Sequence, residues 1–154
     1  MRRILLFLLC LFFPLSTWAD APQGYPFMPF DKAMRLAAEE GKPVFVYFGR
    51  YGCGYCEKTN KESFSDPTVR QRYTANYVLA YVDSESGHRL RLPSGERITE
   101  RELGTRYKAF VTPVFSFIDA QGRLALRLVG VQSIQDLLDA DRKAQARLKQ
   151  HAES

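Results

Sequence analysis

Three apolar runs dominate the chain. V-F-V-Y-F at residues 44–48 lies between Pro43 and Gly49, and Y-V-L-A-Y-V-D spans 77–83. Both are continuously apolar, short and rich in β-branched and aromatic residues, which predicts strands buried on both faces. The third, around V-F-S-F-I at 114–118, is followed by the turn D-A-Q-G and by R-L-A-L-R-L-V-G, a strand–turn–strand hairpin. Between the runs the period changes to helical. From Asp31, D-K-A-M-R-L-A-A-E-E-G-K-P places Ala33, Met34 and Ala37 on one face, with Asp31 as cap and Gly41 then Pro43 as stops. C-G-Y-C-E-K-T-N-K-E reads as one helix from residue 53, and Asp66-Pro67 caps a short helix, P-T-V-R-Q-R-Y. Thr99 and Glu102 form a capping box opening T-E-R-E-L-G-T-R-Y-K. The final helix, from Ser133, carries Ile134, Leu137, Leu138, Ala144 and Leu148 on one face. Residues 84–98 lack a steady period and read as a loop with a small hairpin at Pro93-Ser94-Gly95. This order predicts an α/β fold, one mixed sheet flanked by helices, built as βαβ plus ββα.

The N-terminus stands apart from that pattern. Met1-Arg2-Arg3 is a basic start, residues 4–15 form a short apolar run, and Thr17 and Ala19 supply small residues for cleavage. That is a signal peptide over 1–19, with Ala21 as a second possible cleavage position. About 12 apolar residues are too few to span a bilayer. Cys10 falls inside this segment, after a bulky Leu9 that does not suit lipoprotein processing. Residues 20–30 follow as a proline-rich extended lead-in, and 31–150 as the domain. Removing 1–19 takes Arg2 and Arg3 but no acid, which lowers the net charge of the 154-residue chain from +5 to +3. Scattered, mild basicity gives no footprint for nucleic acid. The expectation is an exported, periplasmic monomer with no membrane span after processing, in a compartment where disulfides form.

Cleavage leaves two cysteines, Cys53 and Cys56, spaced Cys-x-x-Cys. At the first turn of a helix they lie close enough to bridge. A loop that small constrains the unfolded chain weakly, so the pair is a poor staple. A zinc site wants four ligands, and only His88 and His151 are left to join them. A copper carrier lacks a neighbouring methionine or histidine cluster. The arithmetic favours a redox couple, with no metal and no cofactor beyond the dithiol, over a metal or partner-binding module using the same thiols. Helix N-terminal amides would stabilise a Cys53 thiolate, and Cys56, deeper in the helix, would resolve a mixed disulfide. Tyr51 and Tyr55 flank the pair as candidates for contact with an apolar partner. Arg50 and the loop residues His88, Arg89, Arg91 and Arg97 are charged candidates for partner selection, against a solvated role.

Cys53-Gly54-Tyr55-Cys56 after a buried strand, in order with Thr112-Pro113 before an apolar strand and D-A-Q-G, resembles the thioredoxin superfamily from about Asp31 to Leu138. The segments E-E-G-K-P-V, C-G-Y-C-E-K, E-S-F-S-D-P-T-V, N-Y-V and V-D are similar to exported thioredoxin-like proteins. Those include the one accompanying bacterial sulfur-oxidation systems and the C-terminal domain of the transmembrane thiol reductase. The resemblance implies a thioredoxin fold, Cys53 as nucleophile, Cys56 as resolving thiol and Pro113 as a cis-proline facing them. It implies that Thr112 offers its backbone to an extended substrate. It also implies disulfide-containing exported partners, with a membrane thiol reductase as electron donor. Two departures stand out. Tyr47 occupies the position of thioredoxin's buried aspartate, which serves proton transfer near the resolving thiol. Gly54-Tyr55 with Thr112 is similar instead to the periplasmic disulfide isomerase, which keeps isomerase and oxidase roles open beside reduction.

Overall fold

The computed structural model describes residues 21–153. The predicted signal peptide, with Cys10, lies outside these residues. The lead-in turns at residues 23–24, with Gly24 at φ +79°, and Met28–Pro29 (β1) then joins the sheet as a two-residue edge strand. Helix α1 covers Phe30–Glu40 and starts one residue before Asp31. The cap expected of Asp31 is not made: Pro29 occupies that position, and Asp31 sits in the first turn, paired with Arg35 at 2.7 Å. Burial of the Phe30 ring beside Ala33, Met34 and Ala37 draws residue 30 into the helix.

The sheet is then built around Val44–Gly49 (β2), which is buried along its whole length. After it come Gly54–Thr59 (α2), a π-helical turn at Asn60–Phe64, and Pro67–Asn76 (α3). The single helix predicted from residue 53 is thus divided, and the short helix after Asp66 runs on to Asn76. Asp66 caps α3 as expected, accepting from the amides of Thr68 and Val69 at 2.8 and 3.0 Å. Val78–Asp83 (β3) returns parallel to β2, the crossover that a parallel pair needs. Arg89–Arg91 (β4) and Arg97–Thr99 (β5) make the small hairpin, separate from the main sheet. Glu100–Arg106 (α4) opens on the capping box, Glu102 N–H to Thr99 Oγ1 at 3.2 Å and Thr99 N–H to Glu102 Oε2 at 2.7 Å. Val114–Ile118 (β6) and Leu124–Val129 (β7) form the hairpin, and Ile134–Glu153 (α5) closes the fold. The sheet order is β1-β3-β2-β6-β7, with β1, β3 and β2 parallel and β6 and β7 antiparallel to their neighbours.

Alternation along β2 divides the core in two. Val44, Val46 and Phe48 face α1 and α4, with Ala33, Ala37 and Leu103. Phe45 and Tyr47 face α3 and α5, with Phe64, Tyr73, Phe115, Phe117 and Leu137; both cysteines belong to this aromatic side. α5 buries Leu137, Ala140, Asp141 and Ala144, whereas Ile134, expected on the same face, is 37% exposed. The buried Asp141 is satisfied by the Tyr77 hydroxyl (2.8 Å), Asn76 Nδ2 (3.1 Å) and Arg72 Nη1 (3.2 Å), and so ties α3 to α5.

Glu100 is buried at the start of α4. Burial raises its carboxyl above the usual range, opposed by a hydrogen bond from Ser86 and the nearby His88. The fold therefore holds a proton that the unfolded chain releases, and the site's contribution to stability falls as pH rises past about 4.5. Glu100→Gln is expected to raise Tm at pH 7, with the gain vanishing below about pH 4. Thermal unfolding across that range checks it, and a pH-independent difference would count against it.

Candidate active site

Two glycines bring the chain from β2 to the cysteines. A Cβ at Gly49 would lie 2.6 Å from the Tyr81 hydroxyl, so a larger residue here would have to displace the Tyr81 ring. Gly52, at φ +68°, turns the backbone in the region that favours glycine and delivers Cys53 as N-cap of α2. Cys53 and Cys56 are joined by a disulfide, with Cα atoms 5.2 Å apart. The Cys56 amide donates to Cys53 Sγ at 3.1 Å, a bond that strengthens when that sulfur carries negative charge. Both residues are buried, Cys53 at 4% exposure and Cys56 at 1%.

From 59 residues away, the Thr112 hydroxyl donates to the same sulfur at 3.2 Å. Thr112-Pro113 is a cis peptide. The Pro113 carbonyl accepts from the Gly130 amide at 2.8 Å, which ties this loop to the end of β7. Around the contact the surface is apolar: Tyr51 and Tyr55 are 78% and 69% exposed, and Phe110 and Val111 are 73% and 60% exposed. Phe110 and Val111 were not among the sequence candidates. Their signal is present in retrospect, as two bulky apolar residues placed before Thr112-Pro113 and outside the strand that follows.

Tyr47 is fully buried below α2. Its hydroxyl donates to Asn60 Oδ1 at 2.9 Å and lies 3.4 Å from the Cys56 carbonyl oxygen. A neutral phenol and amide thus occupy the space beneath the second cysteine. Asn60 opens the π-helical turn and lines a cavity of about 620 Å³ shared with Cys53, Gly54, Lys61 and Arg70. Arg50 lies 3.8 Å from Glu85. The hairpin bearing Arg89, Arg91 and Arg97 packs Leu90 and Ile98 into the α1–α4 core, on the opposite side of the sheet from the cysteines. His151 lies beside Asp119 at 3.4 Å. Among the described residues, no three histidine, cysteine or acidic side chains converge on a metal position, and no helix is long and apolar enough to cross a membrane.

A family model described as a thioredoxin-like domain matches residues 30–145. Over 115 residues the chain is 30% identical to the thiol:disulfide interchange protein DsbD of Ralstonia nicotianae, covering 74% of this chain but 17% of that protein. Among solved structures it is similar to a thioredoxin from Thermus thermophilus, with a TM-score of 0.66, 29% identity, and coverage of 80% of this chain and 89% of that one. It is also similar to a putative disulphide-isomerase from Bacteroides thetaiotaomicron, with a TM-score of 0.62, 26% identity, and coverage of 79% and 91%. With its Cys-x-x-Cys disulfide at the head of α2, the chain belongs to the thioredoxin-like domain family and is a thiol-disulfide oxidoreductase.

Proposed function

We propose that this protein is exported to the periplasm, where it reduces disulfides of partner proteins. The observation that carries the thiol-disulfide exchange itself, whichever way the electrons run, is the meeting of Cys53 Sγ with both the Cys56 amide and the Thr112 hydroxyl. Those two donors stabilise the sulfur that attacks and leaves. In the reduced protein, the Cys53 thiolate attacks a partner S–S bond, forming a mixed disulfide and releasing one partner thiolate. Cys56, once deprotonated, attacks Cys53 Sγ. This forms the Cys53–Cys56 bond and releases the second partner thiolate, so two electrons pass to the partner. The oxidised form returns to the dithiol at the expense of an external dithiol donor, for which a membrane thiol reductase is the natural class. Thr112 and Pro113 position the substrate, and Tyr51 and Tyr55 contact its apolar surface. The likeness to a stretch of DsbD, a thiol:disulfide interchange protein, supports exchange with disulfides of partner proteins.

Equilibration with glutathione at known ratios tests that direction. A potential near about −270 mV supports a reductant, and one near about −120 mV reverses it. Isomerase is the second reading, favoured by Gly54-Tyr55 together with Thr112. Recovery of scrambled ribonuclease by the purified protein would support it, and fast insulin reduction without such recovery would exclude it.

A further inference from the structure

The loop before Pro113 is an open edge. Among the described residues, no backbone amide or carbonyl of Phe110, Val111 or Thr112 is hydrogen-bonded. An unpaired edge three residues long, beside a reactive sulfur, is suited to pairing with an extended chain. Beyond it lies a groove of about 170 Å³, lined by Arg50, Glu85, Arg101, Thr105 and residues 109–112. Its charges are unequal. Arg101 gives its Nη2 to the Glu85 backbone carbonyl at 2.6 Å, a neutral acceptor. Arg50 sits 3.8 Å from the exposed Glu85 carboxylate, a loose pair. Two guanidiniums therefore stand against one carboxylate, at the end of an apolar rim.

We propose that this site prefers disulfides in an extended polypeptide with an acidic side chain two residues from its cysteine, received by Arg50 and Arg101. This rests on the reading of the site as a protein-disulfide reductase and adds the sequence it selects. The spacing follows from strand geometry. Side chains two apart on an added strand share a face and are separated by about 7 Å. A substrate cysteine at Cys53 beside Thr112 then places the second residue along over Phe110, at the mouth of the groove. Bulky apolar neighbours of that cysteine meet Tyr55 and Val111, and the acid meets the arginines. Phosphate and sulfate groups share the charge but lack the backbone edge, which is why a peptide is the occupant.

The test uses the reduced full-length protein and disulfide-linked peptide dimers with leucine beside the cysteine. Asp, Ser or Lys is placed two residues before or two residues after it. Reduction is followed by chromatography at low and high salt. The Asp peptide of one placement is expected to react about tenfold faster than its Lys counterpart at low ionic strength, and within about twofold in 0.5 M salt. Arg101→Ala should bring that ratio close to one, and Arg101→Glu should invert it in favour of Lys. Equal wild-type rates for Asp, Ser and Lys at both placements would overturn the inference, as would a ratio unmoved by Arg101→Glu. Reduction of insulin but of none of the peptides overturns the inference alone. Failure with insulin and every peptide removes the reductase reading as well.

Discussion

Cys53→Ser is expected to abolish insulin reduction, lowering its rate by ~10³-fold or more, because no other described sulfur stands at the mouth of this site. Cys56→Ser should be inactive in a different way. Cys53 can still attack, but the mixed disulfide it forms then has no neighbouring thiol to resolve it. The variant should accumulate a covalent adduct with a partner protein, visible as a reducible band of higher mass. Both variants are expected to remain folded. Serine at 53 can still accept the Cys56 amide as a helix cap. The lost disulfide closes a loop with a sequence separation of only 3, for which chain entropy gives about 2 kcal/mol. Retention of activity in Cys53→Ser, or absence of any adduct with Cys56→Ser, would remove the roles proposed for these two residues.

The largest loss of stability is expected from Phe45→Ala, about 3–5 kcal/mol, measured as a drop in urea midpoint at unchanged slope. Phe45 is fully buried at the centre of the aromatic side of the core. Its ring centroid lies 4.8 Å from that of Tyr73, 5.1 Å from Phe117, 5.9 Å from Phe115 and 6.1 Å from Phe64. Rings from α3, β6 and the π-helical turn thus close on one position, and little can collapse into the space left by truncation. Phe110→Ala provides the contrast. That ring is exposed, and its loss should change stability by less than about 0.5 kcal/mol. A Phe45→Ala cost below about 1 kcal/mol would mean that the core relaxes freely around the cavity.

The elements legible in the sequence are those whose environment is uniform along the chain. The runs at 44–48 and 77–83 contain the strands Val44–Gly49 and Val78–Asp83 because both faces of β2 and β3 are covered, which makes each run continuously apolar whichever neighbour a side chain meets. The Asp66 cap and the Thr99–Glu102 box were readable because a cap is satisfied within three residues of itself. Elements whose ends depend on distant packing are not marked in the local sequence. Asp31 yields the start of α1 to a buried Phe30, and β1 exists because β3 offers it an edge. The π-helical turn that divides the helix after Cys53 has no mark in the pattern of apolar positions.

The candidate site divides in the same way. Sequence alone determined the chemistry: two cysteines at a spacing and position that favour thiol exchange, and the Thr-Pro dipeptide that a family resemblance joins to them. It also held the aromatic pair Tyr51 and Tyr55. Only the tertiary structure decided that Thr112 Oγ1 lies 3.2 Å from Cys53 Sγ, that Tyr47 and Asn60 meet beneath Cys56, and that Phe110 and Val111 stand exposed beside an unpaired edge. Covalent spacing constrains neighbours within a turn of helix. Contacts across 59 residues follow from how β2 and β6 pair and where their loops end. The reactive group is written locally, whereas its surroundings, which select the substrate, are assembled by the sheet.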